Sequence, residues 1–346
     1  MIRTRFLKYP VIVMLAFVCM FSCSKTSEPT PTPEPPVEPT DTTEKIIGAD
    51  ISFLPQLEDE GIKFSVDGVE DDAINILKKN KFNYIRLRIF YDPTAENGYS
   101  PLGYCSLEQT KAMAKRIKAA GMKFLLDFHY SDTWADPAQQ NKPAAWKALS
   151  FTDLTTALHD YTKDVLTQLK AQNTLPDMVQ IGNEINHGIL WDDGNIVNLD
   201  NLATLLKAGV AATREVSSSI KVMLHIANGG QNDASKYFLD NMISRGVDFD
   251  IIGQSYYPQW HGTINELQFN LNDLSTRYTQ PVIVAEYTYN KTGVNDVAFN
   301  LPKGNTKGTF IWEPLNTWEY IFDAQGKAID SLLNIYPAIA EKYNVE

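Results

Sequence analysis

From Ile46 onward the chain shows short apolar runs separated by stretches with helical spacing of their hydrophobic positions. The runs are Ile47–Phe53, Tyr84–Phe90, Phe124–Tyr130, Met178–Glu184, Val222–Asn228, Phe249–Tyr257, Val282–Tyr287 and Gly308–Pro314. Helix candidates between them include Asp71–Asn80, Leu107–Ala120, Phe151–Ala171, Leu199–Glu215 and Ala234–Arg245. Alternating strand and helix signals predict a parallel sheet with crossover helices. Eight such units over roughly 300 residues predict an α/β protein with a single (β/α)8, or TIM, barrel over residues 46–346. No Gly-x-Gly-x-x-Gly follows the first run, which removes the chief sign of a dinucleotide fold.

The first 45 residues follow a different pattern. Arg3, Arg5 and Lys8 precede an apolar run from Val11 to Phe21, which ends at Ser22-Cys23. Eleven residues are too short to span about 30 Å of hydrocarbon as a helix, but they suit the core of a signal peptide. A small residue before a cysteine resembles the lipobox of bacterial lipoproteins, which implies that residues 1–22 are removed and that Cys23 carries lipid. Residues 23–45 are rich in proline and threonine, with prolines at 29, 31, 33, 35, 36 and 39. Such a stretch buries no core, and its prolines favour an extended polyproline II spacer, so the barrel is expected to follow a disordered leader. Export with a lipid anchor to the cell envelope is therefore the expected location, and the anchor the expected link to a membrane.

Composition narrows the chemistry. The 346 residues carry 31 Lys plus Arg against 42 Asp plus Glu, a net charge of −11. That balance argues against broad contact with phosphate backbones and excludes nucleic acid as the expected partner. Three cysteines are present. Cys19 leaves with the signal peptide and Cys23 is committed to lipid, so Cys105 has no partner and the fold must rest on its core, as an expected monomer.

Polar and aromatic residues crowd the C-terminal ends of the eight runs: Asp50-Ile51-Ser52, Arg86-Leu87-Arg88, Asp127 to Asp132, Asn183-Glu184, His225 to Asn228, Tyr256-Tyr257, Glu286-Tyr287 and Trp312-Glu313. A barrel brings all of these to one mouth, the face that carries active sites in this fold. Glu184 and Glu286 close runs four and seven, which face each other across an eight-stranded barrel. Two carboxyl groups meeting over the axis are the pair that glycoside cleavage requires.

The residues around that pair carry a family resemblance. Gly48-Ala49-Asp50-Ile51-Ser52, the block from Leu126 to Pro137 (Leu-Asp-Phe-His-Tyr-Ser-Asp-Thr-Trp-Ala-Asp-Pro), Gly182-Asn183-Glu184-Ile185-Asn186 and Ser255-Tyr256-Tyr257-Pro258 resemble glycoside hydrolase family 53, the endo-β-1,4-galactanases of clan A. The resemblance implies a retaining barrel enzyme with Glu184 as acid/base and Glu286 as nucleophile. It further implies substrate-side roles for Asp127, His129, Ser131 and Asp132, and a β-1,4-galactan substrate such as the side chains of pectin. Asn183 is expected to bond the 2-hydroxyl of the sugar being cleaved. A cation is expected beside Glu286, with Arg88 first and Arg86, on the same face, second. Tyr256 or Tyr257 is expected to donate to Glu286; strand alternation leaves one of them facing inward.

Trp134, Trp191, Trp260, Trp312 and Trp318 lie in or near the mouth loops, where aromatic faces stack on sugars. Trp134 and Trp312 are the stronger candidates, with His225 and Asn228 as further polar ones on run five. No metal or other cofactor is expected. No His-x-His or His-Glu-x-x-His pair occurs, and Asp192-Asp193-Gly194-Asn195 lacks the later ligands of a calcium loop and reads as a tight turn. Some members of the family carry structural calcium in a long insertion near strands seven and eight; here the stretch from Asn290 to Lys307 is short. Two alternatives remain open: a clan A hydrolase of mannan, xylan or glucan, and a surface glycan-binding lipoprotein without turnover.

Overall fold

The structure is a computed structural model that describes residues 44–302, 305–315 and 320–346. The expected signal peptide, the linker up to residue 43, Cys23 and Trp318 lie outside the described residues. Eight strands close into a barrel: β1 (Ile46–Asp50), β2 (Tyr84–Ile89), β3 (Lys123–Phe128), β4 (Met178–Ile181), β5 (Lys221–Ile226), β6 (Ile251–Tyr256), β7 (Val282–Tyr287) and β8 (Thr306–Trp312). Each pairs in parallel with its sequence neighbours, and β1 closes the ring by pairing with both β2 and β8. The main crossover helices are α1 (Ala73–Lys79), α2 (Leu107–Ala119), α3 (Phe151–Ala171), α4 (Leu199–Val216), α5 (Asn232–Ser244), α6 (Ile264–Arg277) and α7 (Lys291–Phe299), and α8 (Ile335–Tyr343) follows β8. The expected (β/α)8 barrel is the fold observed.

Period-two alternation sorts each strand into two faces. Outward positions such as Ile85, Leu87, Phe124, Leu126, Val179, Val222 and Leu224 pack under the helices. Inward positions fill the lower barrel with a separate apolar cluster: Ile46, Tyr84, Leu125, Met178, Met223, Ile251, Ile283, Ala285 and Phe310. Two glycines make room for its largest members. A Cβ on Gly48 would lie 2.2 Å from the Phe310 ring, and one on Gly253 would lie 2.6 Å from Met223 Sδ. Two residues higher, the inward positions turn polar: Arg86 above Tyr84, Asp127 above Leu125, Gln180 above Met178, His225 above Met223 and Ser255 above Gly253. All five are buried. An apolar plug below and a charged layer above place the chemistry at the C-terminal end of the barrel.

Strand ends depart from the sequence expectation where the backbone changes course. β1 stops at Asp50, because the short helix Leu54–Asp59 starts there instead of further strand. β4 stops at Ile181 rather than Glu184, because Gly182 takes φ +90° and Glu184 sits in the left-handed region at φ +48°. β7 carries a bulge. Val284 pairs with Gln254, but Ser255 pairs with Glu286, so Ala285 is an extra residue on that strand. The segment at Asp192–Asn195 is part of a short hairpin in which Gly188–Ile189 pairs with Gly194–Asn195, a turn as expected. Among the described residues no helix is long and apolar enough to cross a membrane.

Candidate active site

Arg86 organises the mouth. Its guanidinium is buried and meets five partners: Nε donates to Gln180 Oε1 at 2.7 Å, Nη1 to Asp50 at 2.9 Å, and Nη2 reaches Asp127 at 2.8 Å, Asn183 Oδ1 at 2.9 Å and Glu286 Oε1 at 2.8 Å. A buried cation is tolerated only when charges and hydrogen bonds surround it this fully. The cation at Glu286 is thus Arg86 and not Arg88. The two face the same way, but two residues along a strand carry Arg88 about 6.6 Å further up. There it pairs with Glu313 at the end of β8, and its guanidinium is clamped between the rings of Phe53, 4.4 Å away, and Trp134, 4.5 Å away.

Glu286 Oε2 accepts a 2.9 Å bond from the Tyr257 hydroxyl. Tyr256 points the other way, into the outer core, where its hydroxyl donates to the Gly262 carbonyl. Burial raises the Glu286 carboxyl, and Arg86 acts against that shift. Glu184 is held differently. Its Oε1 accepts a 2.6 Å bond from Ser255 Oγ, and its pKa is pushed up to about 8, first by burial and then by the charge of Glu286. Of the two carboxyls, Glu286 has the cation at hydrogen-bond distance, so it is the one that ionises first. The two carboxyls are therefore set unequally: Glu286 rests against Arg86, and Glu184 is the one pushed up to about 8.

Asn183 is fixed at both ends: Oδ1 takes the Arg86 bond and Nδ2 donates to the Ala135 carbonyl at 2.9 Å. His225 is buried and held well below its usual pKa, by burial first and Arg86 second, so it is neutral. Asp127 is held below the usual carboxylate range by Arg86 and by His129, against the effect of burial. His129 itself links Asp127, at 3.1 Å, to the backbone N–H of Ala135, at 3.0 Å, and so ties the loop after β3 to the barrel.

Several expected residues also anchor the loops of the mouth. Asp132 accepts from the backbone N–H groups of Asp92 and Ala144, and the Ser131 hydroxyl accepts from that of Thr133. Both side chains thus hold loop structure at the mouth. The Asn228 carbonyl accepts from Ser235 and Asn270, which fixes the turn after β5. Trp134, Trp312 and Phe53 form one aromatic wall, with ring centres 6.4 to 6.5 Å apart. Trp260 is exposed and lies edge-on to Tyr257 at 5.7 Å. Among the described residues no group of three His, Cys, Asp or Glu side chains is placed to hold a metal ion.

Gln180 and Phe53 are members of this cluster with no role assigned from the sequence, and Ser255 was named only as part of a motif. Gln180 and Ser255 each lie two positions above an inward residue, a signal that strand alternation does carry. Glu313 was visible only as a strand end.

The sequence matches the model of Glycosyl hydrolase family 53 over residues 46–342. The chain belongs to this family. It is 47% identical over 253 residues to an uncharacterized protein of Niallia circulans, covering 70% of this chain and 67% of that one. Arabinogalactan endo-beta-1,4-galactanase A of Aspergillus niger is 37% identical over 248 residues, 69% of each chain. The family 53 catalytic domain of Ignisphaera aggregans superposes with a TM-score of 0.79 at 34% identity, over 88% of this chain and 98% of that one. Membership of family 53 makes the protein a glycoside hydrolase, and its polar cluster lies at the mouth where barrel enzymes bind substrate.

Proposed function

We propose that the protein is a retaining endo-hydrolase of β-1,4-galactosidic bonds in galactan and type I arabinogalactan. The observation that carries this reading is the unequal setting of its two carboxyl groups, one bonded to a buried arginine and the other pushed towards neutrality. Glu286 attacks the anomeric carbon as Glu184 gives its proton to the departing glycosidic oxygen. Glu286 is then an ester and has lost its charge. That charge is the second cause of the raised Glu184 pKa, so Glu184 becomes a stronger acid and stays ionised as a base. It takes a proton from water, which attacks the anomeric carbon and frees Glu286 with the configuration retained. The second N–H of Asn183 Nδ2 is the donor or water contact for the sugar 2-hydroxyl, and the Trp134–Trp312 wall offers rings for stacking. The names of the curated relatives support galactan as the polymer.

Digestion of linear β-1,4-galactan is the direct test. Long oligomers released early, with β-anomers seen first by proton NMR, are the expected result. Release from mannan, xylan or β-glucan alone would replace the substrate, and galactan retardation in a gel without new reducing ends would mark a binding protein. The pH profile of kcat/KM is expected to be a bell. As pH rises through about 8, Glu184 loses the proton it must donate and activity falls. A basic limb set by another group, and so unmoved in a Glu286→Asp variant, would count against the assignment.

We also propose that the enzyme is exported and tethered to the cell envelope through Cys23, acting there as a monomer on its polysaccharide. The basic start, the short apolar run and the Ser22-Cys23 junction support this.

A further inference from the structure

The bond that reaches Glu184 is the last of four that run in one direction. Arg86 Nε has only hydrogen to offer, so the Gln180 atom 2.7 Å away is its carbonyl oxygen. The Gln180 amide nitrogen then points its two hydrogens at Asp127 Oδ1 and His225 Nδ1, each 3.0 Å away. The backbone N–H of Glu184 also faces Nδ1, at 3.4 Å. Asn183 Oδ1 lies 3.1 Å from the same nitrogen, but it already accepts from Arg86. Two donors against one engaged acceptor make Nδ1 the lone-pair nitrogen, which leaves the hydrogen of neutral His225 on Nε2. Nε2 faces Ser255 Oγ at 2.8 Å and donates to it. The Ser255 hydrogen is thereby released toward Glu184 Oε1, 2.6 Å away.

We propose that Ser255 is a positioning residue for the acid/base. As the end of a donor chain Arg86–Gln180–His225–Ser255, it claims Oε1 of Glu184 as an acceptor and leaves Oε2 to carry the transferable proton. This rests on the role given to Glu184 above. A carboxyl group that can rotate or place its proton on either oxygen presents the wrong lone pair half the time; a fixed donor on one oxygen removes that ambiguity. The bond also strengthens as Glu184 becomes negative, so it favours the moment of proton transfer. The other charged groups acting on Glu184 are Glu286 from β7, Arg86 from β2 and Asp136 from the loop after β3, with the Tyr257 hydroxyl beside them. One guanidinium thus orients both carboxyl groups: Glu286 by contact, and Glu184 at the end of a polarised relay.

Ser255→Ala removes the last donor and little volume. Its kcat on galactan is expected to fall about 10- to 100-fold with KM nearly unchanged. The basic limb of the pH profile is expected to move up by about one to two units, the worth of one hydrogen bond to the charged form. Ser255→Thr keeps the hydroxyl and returns the limb to the wild-type pH. Nitrogen-15 NMR of His225 is expected to show hydrogen on Nε2 throughout pH 5–9 (a span of roughly two units either side of neutrality). An unmoved limb in Ser255→Ala, an equal shift in both variants, or hydrogen on Nδ1 overturns the relay. Glu184→Gln measured alongside separates the two failures: wild-type turnover in that variant removes the acid/base reading itself, whereas its inactivity beside an unmoved Ser255→Ala removes only the relay.

Discussion

Glu286→Gln is expected to lower kcat on β-1,4-galactan by about four orders of magnitude or more, the scale seen when an enzyme loses its nucleophile. The amide keeps the size of the side chain and an oxygen for Arg86, so the mouth keeps its shape and oligosaccharide binding survives. What disappears is the electron pair that attacks the anomeric carbon. A second effect follows from charge. Glu184 is raised first by burial and then by Glu286, so in this variant its pKa falls below about 8 but stays above the ordinary carboxylate value. Kinetics on galactan and a carbon-13 titration of Glu184 check the two effects. Activity above about one per cent of wild type would rule out a covalent role for Glu286, and an unmoved Glu184 titration would mean that the two groups do not sense each other.

Arg86→Met carries the largest expected cost in stability. The cation touches Asp50, Asp127 and Glu286, and its removal leaves three buried carboxylates facing one another. Breaking a buried ion pair costs about 3–5 kcal/mol; for a chain of this length that lowers Tm by roughly 5–8 °C. The pH dependence has a definite sign. Asp127 is depressed in the folded protein, so its contribution is present above the unfolded carboxylate pKa and is lost as pH falls through the lower folded value. Without Arg86 that contribution is gone at neutral pH. The gap between wild type and variant is therefore widest near neutrality and narrows on acidification below about pH 4. Thermal melts across pH measure it. A gap that widens toward acid would show that Arg86 is not the group that holds Asp127 low. Arg88→Met removes a different pair, with Glu313, and spares the cation at Glu286, so kcat on galactan is expected to fall less than in Arg86→Met.

The eight strands and both glutamates were legible because burial writes itself into sequence as apolar runs, and a barrel then collects every polar strand end at one mouth. Less was legible where neighbours share a face or where the chain leaves its period. Arg86 and Arg88 have the same parity, and only their height above the apolar plug decides which meets Glu286. Tyr256 and Tyr257 have opposite parity, yet which one faces inward depends on where β6 begins its alternation. Ser131 and Asp132 sit in the block most specific to the family, but they serve the loop that carries Trp134. Gln180 and Ser255 were overlooked because an amide and a hydroxyl carry no charge to draw attention, although buried inward positions above a hydrophobic layer are where such groups must find partners.

The bulge at Ala285 has a consequence for how this mouth changes over time. Ile283 and Ala285 face the barrel axis, Glu286 joins them, and Tyr287 already belongs to the outer core beside Tyr336 and Asn295. The parity of β7 therefore flips within a single step. Substitutions at neighbouring positions adjust what surrounds the carboxylate, but they cannot turn it away from the axis. Straightening the bulge with Ala285 kept in the ladder would turn Glu286 into the helices and bring Tyr287 over the sugar, whereas deleting Ala285 would leave Glu286 opposite Ser255 and facing the axis. The direction of Glu286 is thus set by whether the extra residue is bulged out or paired, and not by which side chains stand beside it.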